Sequence, residues 1–241
     1  MPGEAANALT ATYRRQAALI AEAAAARIAR GARRAGLDDV DLWWTSVEET
    51  LTDQVLEVAE GLATLTRRYL RGHAAAEGVD VEPAEVPVNV RRIAEALRIT
   101  GPVAFKTHIR GGGTPETARA TMSRTLAGAV KRLVLDAGRD TTMQTYRTNR
   151  SIQGWRRVTS AGACAFCQML RSRGATYSKR SARFRSHDNC ACSAEMVYRR
   201  EAEPDDVKAL QQRWDDVTGS RIGPDAVREW QRNLRAEQKN T

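Results

Sequence analysis

Residues 44–69 read WTSVEETLTDQVLEVAEGLATLTRRY, and in them Trp44, Val47, Leu51, Val55, Val58, Leu62, Leu65 and Tyr69 recur at steps of three or four. That period puts all eight on one side of an α-helix, a continuous seam that must be buried against something. Gly72 predicts its end. Upstream, residues 5–35 carry a weaker stripe of Leu9, Tyr13, Leu19, Ile20 and Ile28, with Gly36 as the stop. The connection from Leu37 to Asp41 is short and offers N-cap carboxylates, so the two helices are expected to pair as an antiparallel hairpin rather than dock on another subunit.

Downstream, Gly78, Pro83 and Pro87 mark residues 73–89 as a loop. A short helix over 90–98 and an irregular piece ending in Arg110, Gly111, Gly112 and Gly113 are expected next. Thr114, Pro115 and Glu116 then spell a helix start: a capping hydroxyl, proline at the first helical position and an acid at the positive end of the dipole. Met122, Leu126, Val130, Leu133, Val134 and Ala137 form one face, predicting a long helix over 114–149 with Gly128 and Gly138 as kink sites. The glycine triplet lacks the Lys-Ser/Thr of a P-loop and reads as a flexible joint. Residues 204–217 and 224–235 each open with proline and acids and predict short helices anchored by Trp214 and Trp230.

Aromatics are only 5% of the 241 residues, too few to fill a wide sheet core, so helices are the expected way to bury the 42% that is hydrophobic. The fold class is therefore mainly α. The expected division is a helical region over 1–110, a long linking helix over 111–153, a small irregular or β module over 154–200 and short helices over 201–241. No stretch reaches the roughly 18 apolar residues of a membrane span, and the N-terminus lacks the basic-then-apolar order of a secretory signal, which points to a reducing cytosol.

The formal charge of +9 is uneven. Residues 111–200 hold 17 Lys/Arg against 5 Asp/Glu, a net +12, while the flanks are net −1 and −2. A block of one sign repels itself unless an anionic partner neutralises it, and nucleic-acid phosphate is the commonest such partner. Arg156, Arg157, Arg171, Arg173, Lys179, Arg180, Arg183 and Arg185 are the candidate contacts. No helix-turn-helix spacing accompanies them, so contact with the DNA backbone is expected and base reading is not. The alternative is a solvated basic face.

All four cysteines lie within 29 residues, as Cys164-Ala-Phe-Cys167 and His187-Asp-Asn-Cys190-Ala-Cys192. A CxxC turn presents two thiolates, and a second group about twenty residues on can close a tetrahedron around zinc. Five candidates, Cys164, Cys167, His187, Cys190 and Cys192, compete for four places. Residues 171–186 offer Ala175, Tyr177, Ala182 and Phe184 among six Lys/Arg, too little apolar surface to order the segment alone. Two disulfides and buried free thiols are the alternatives; the first is disfavoured without a secretory signal. A thiolate-rich set with few carboxylates nearby reads as closed and structural rather than catalytic.

The run from Gly154-Trp155 through Cys164-Ala-Phe-Cys167 and Arg173-Gly174-Ala-Thr-Tyr177 to His187-Asp-Asn-Cys190-Ala-Cys192 resembles the phage Mu F-like (MuF) minor head proteins, in the versions found in tailed phages of actinobacteria. The specific likeness covers about residues 138–198. It implies a low-copy head morphogenesis protein inside the procapsid near the portal, with portal or capsid proteins and DNA backbone as partners and no membrane. It implies a location inside the virion, and in the host cytoplasm during assembly. By motif it makes the four cysteines and His187 the residues of the metal module; Asp188, Asn189 and Ala191 depart from the usual neighbours and leave the ligand set open. No serine or cysteine protease set is found, and the expectation is a protein that is not an enzyme. The competing readings are a metal-dependent nuclease of the HNH type, with His187 freed as general base, and a zinc-stapled DNA-binding regulator.

Overall fold

The structure, a computed structural model, describes residues 3–36, 39–159, 163–176, 179, 183–199 and 202–239. Helix α1 (Glu4–Ala32) and helix α2 (Val40–Ala76) form the expected hairpin, and Asp39 caps α2 by accepting from Leu42 N at 2.8 Å. Leu37 and Asp38 lie outside the described residues. Tyr13 of α1 stacks on Tyr69 of α2 with ring centroids 4.3 Å apart. The stripe on α1 differs from the sequence reading. Leu9 and Leu19 are exposed, and the buried face is Ala6, Ala17, Ala21, Ala24, Ala25, Ala29 and Ala32 with Tyr13 and Ile28. Alanine has no bulk to fill a gap, so it works where backbones approach closely. A hydropathy stripe weights leucine and misses that.

Helix α2 runs past Gly72 to Ala76; Gly78, at φ +68°, turns the chain into a loop laid across the bundle. Arg67–Glu85, Arg71–Glu82 and the Ala84 N–H donating to Thr145 Oγ1 at 2.9 Å pin that loop. Helix α3 (Val90–Arg98) follows as expected. The segment expected to be irregular is part kink and part helix: a π-turn over Ile99–Val103, in which Gly101 leaves helical geometry at φ −92° and ψ −109°, leads into α4 (Ala104–Arg110). Gly101 permits it, because an added Cβ would stand 3.1 Å from the Trp44 ring. The glycine triplet is a tight turn rather than a loose joint, with Gly113 packed against the His108 ring.

Helix α5 (Pro115–Thr148) is 34 residues, about 51 Å long at 1.5 Å per residue. Thr114 caps it through Thr117 N. It lies against both α1 and α2, with Met122, Leu126, Val130 and Val134 fully buried. Gly128 and Gly138 do not break it. They are close-contact points: a Cβ at Gly138 would meet Thr66 Oγ1 at 2.6 Å, and one at Gly128 would meet the Asn189 side chain at 3.0 Å.

After α5, strand β1 (Gly154–Val158) pairs antiparallel with β2 (Ser193–Val197), Arg156 opposite Glu195. Between them lies α6 (Ala165–Arg171). Trp155, Ala194, Met196 and Tyr198 join the apolar core of the bundle. Helices α7 (Asp205–Thr218) and α8 (Gly223–Lys239) clamp α6: Trp230 is fully buried, donates its indole N–H to Ala165 O at 2.9 Å, and meets half-buried Trp214 at 5.4 Å. No helix among the described residues is long and apolar enough to cross a membrane.

Candidate metal centre

Cys164 is the N-cap of α6, its sulfur accepting from the Cys167 N–H at 3.5 Å, so one helical turn brings the two CxxC sulfurs to the same end of the helix. The other donors arrive on the segment that enters β2. His187 Nε2 lies 3.1 Å from Cys164 Sγ and 3.8 Å from Cys167 Sγ, and Cys167 Sγ lies 3.6 Å from Cys190 Sγ. The donor atoms of Cys164, Cys167 and His187 all fall within 4.8 Å of one another, as do those of Cys167, Cys190 and Cys192. All five residues named from the sequence therefore meet, with Cys167 common to both sets.

The imidazole is oriented for this. Its Nδ1 stands 2.8 Å from Asp188 O, and a carbonyl can only accept, so Nδ1 carries the proton and the Nε2 lone pair faces the sulfurs. Asn189, in the left-handed region at φ 64°, turns the chain between His187 and Cys190. Burial resists ionisation of Cys164, but the Cys167 N–H and His187 outweigh it and hold the thiol below its ordinary range. Cys190 is pulled down chiefly as acceptor from Cys167 and Cys192, whose own thiols are pushed up. Three neighbouring sulfurs cannot all be thiolates unless a cation sits among them. The donor chemistry thus fits a metal ion.

Arg139 of α5, which the sequence reading passed over, ties this cluster to the bundle. It is 4% exposed. Its guanidinium donates to Cys192 O at 2.8 and 3.1 Å, to Cys190 O at 2.7 Å and to Asp136 Oδ1 at 2.8 Å. Asp136 also accepts from Arg92 at 2.6 Å and from Ser186 at 2.8 Å. In the sequence Arg139 is one more positive charge. Only its spacing from Asp136, one helical turn, hinted at an internal role.

The eight basic candidates separate. Arg156 and Arg157 are 5% and 1% exposed, and the expectation that they form an open basic surface for a DNA backbone is corrected by that burial. Arg156 pairs with Glu195 directly across the sheet at 2.6 Å. Arg157 lies over the Phe184 ring at 3.8 Å and donates to Arg185 O at 2.7 Å and towards Cys167 Sγ at 3.7 Å. Arg171 is half-buried and bonded to Asp206 and Thr159; Lys179, also half-buried, donates to Asn149 O. Arg173, Arg183 and Arg185 are exposed, and Arg180 lies outside the described residues.

Glu195 is a further buried group that the sequence did not single out. It accepts from Thr10 at 2.8 Å and faces His73, which is fully buried, at 3.7 Å. Burial opposes its charge, yet His73, Arg156 and Thr10 together hold its carboxyl at about 2.

These features define a mainly helical protein carrying a cysteine and histidine cluster able to hold a metal ion. The chain belongs to the VG15 protein family, a viral family whose sequence profile matches residues 4–217 and so includes the whole cluster; the match supports a phage protein. No curated protein and no solved structure matches it.

Proposed function

We propose that this chain is a minor head protein of a tailed phage, acting near the portal inside the procapsid, with zinc as a structural ion and with sequence-independent contact to packaged or ejected DNA. The observation that carries the reading is the convergence of the four cysteines and His187 against Arg139 on the long helix. Such a donor set, rich in sulfur and braced by a buried guanidinium, staples a module rather than serving a substrate. Viral family membership and the exposed Arg173, Arg183 and Arg185 around the module support the rest. The nuclease reading has less support, since His187 Nε2 faces two sulfurs instead of open solvent.

Deleting the gene from its phage is expected to leave defective or DNA-poor heads that the natural chain restores and a Cys164→Ser, Cys167→Ser chain does not. Peptides of the chain should occur in purified virions or procapsids far below the major capsid protein. Their absence from both would overturn the head role. Unrelated duplexes should be retarded equally, with affinity falling steeply in salt. Plasmid nicking with magnesium or manganese, lost in His187→Ala while the metal is retained, would favour the nuclease instead.

A further inference from the structure

A cleft of about 170 Å³ opens where α1, β1 and the start of α7 meet, and Arg157, which also touches Phe184 and Cys167, is one of its walls. Arg14, Arg156, Arg157 and Arg171 line it, against two carboxylates, Glu195 and Asp206. The acids are already taken: Glu195 by Arg156 and Asp206 by Arg171. Arg157 spends its terminal nitrogens elsewhere, and its Nε is buried with no hydrogen-bond partner. Arg14 is the anomaly. It forms no hydrogen bond or ion pair with the described residues, and its Nε is buried and unpartnered, as is that of Arg171. Burial, with the charge of nearby Arg171, pushes its guanidinium below the usual arginine range, against the opposing pull of Cys192 and Glu195.

A buried donor left unsatisfied is costly, and among the described residues Arg14 and Arg157 have no carboxylate partner, while Arg156 pairs with Glu195 and Glu203 and Arg171 with Asp206. The first turn of α7 also faces the cleft, with no side chain capping its N-terminus. At about 30 Å³ per water the cleft has room for a tetrahedral oxyanion.

We propose that this cleft is an oxyanion site for a phosphate group, with Arg14 as its main recognition residue. The site is independent of the proposed head role, and its phosphate is either a free anion or one from a DNA backbone.

Unfolding of the full-length protein in phosphate and in chloride at matched ionic strength tests it. Phosphate is expected to raise the midpoint by about 3 °C over chloride. Arg14→Gln should abolish that rise with metal content and helical circular dichroism unchanged. In chloride alone the variant should be at least as stable as the natural chain, because it loses an unpaired charge; an arginine with a merely structural role would give a loss. Asp206→Asn, which frees Arg171, should enlarge the phosphate response. Equal midpoints in the two salts, or an undiminished response in Arg14→Gln, overturn the proposal. Given the response, a short duplex identifies the source. If Arg14→Gln lowers the slope of log affinity against log salt by about one, DNA supplies the phosphate; an unchanged slope assigns the site to the free anion.

Discussion

The helical bundle and the cysteine module are ordered by different physics. In the bundle, Leu62 and Leu70 of α2 and Met122, Leu126 and Val130 of α5 are fully buried, and burial of that kind stabilises by about 25 cal/mol per Å² of apolar area. The module has little of this. Its own buried cluster is Ala163 with three of the four cysteines, flanked by Cys164, Phe166 and Phe184. The sulfurs that would bind the ion are thus also the interior of the module, and whatever neutralises them completes its core.

The widest expected separation between the regions comes from removing the ion. Structural zinc contributes on the order of 10 kcal/mol in small peptides, far more than any single contact here. A strong chelator at neutral pH should open residues 163–199 to protease while most of the helical circular dichroism remains. Loss of both signals together would mean that the bundle depends on the module. Next in size is Arg139→Met, which strips the Cys190 and Cys192 carbonyls of their donor and leaves Asp136 with Arg92, Arg132 and Ser186 as its remaining partners. A loss of about 3–5 kcal/mol in denaturant titrations is expected, accompanied by weakened metal retention.

Acid should act on the seam between the two regions. Glu195 sits in β2 of the module yet is held by Thr10 and His73 of the bundle. Its folded value of about 2 lies below the usual 4.5, so its contribution is complete above about 4.5 and is lost as pH falls from there towards 2. The amount is about 3 kcal/mol. Stability measured against pH should fall through that window, and Glu195→Gln should flatten the fall while costing stability at neutral pH.

The sequence showed the parts whose signal is local. The α2 seam repeats every three or four residues, the cap at Thr114 is spelled by adjacent residues, and the CxxC turn places two sulfurs by itself. Other features depended on partners distant in sequence. Arg156 looks like a phosphate contact until Glu195, 39 residues later, is seen opposite it. Arg139 and His73 look like surface helix residues until the Cys190 and Cys192 carbonyls meet the first and Glu195 of β2 the second. The turn at Ile99–Val103 has no periodic signal; Gly101 and Pro102 advertise a break, and the chain does kink at Gly101, where Trp44 packs closely, but helix resumes on both sides of it.

One substitution, made at two points ten residues apart on α5, gives the finest comparison of the regions. At Gly138 an added methyl would stand 2.6 Å from Thr66 Oγ1 and 2.8 Å from Tyr13 OH, two buried groups that bond each other at 2.8 Å. Both helices would have to retreat, so Gly138→Ala is expected to cost about 1–3 kcal/mol in spite of alanine's better helix propensity. At Gly128 the methyl would meet the Asn189 amide at 3.0 Å and Asp188 Cβ at 3.3 Å, both exposed residues on the turn between His187 and Cys190. There the gain of about 1 kcal/mol in propensity offsets the crowding, and global stability should barely change. What should change is metal affinity, because the turn that aims His187 must move. Chelator competition on Gly128→Ala showing natural affinity would mean that the turn shifts without carrying the imidazole with it.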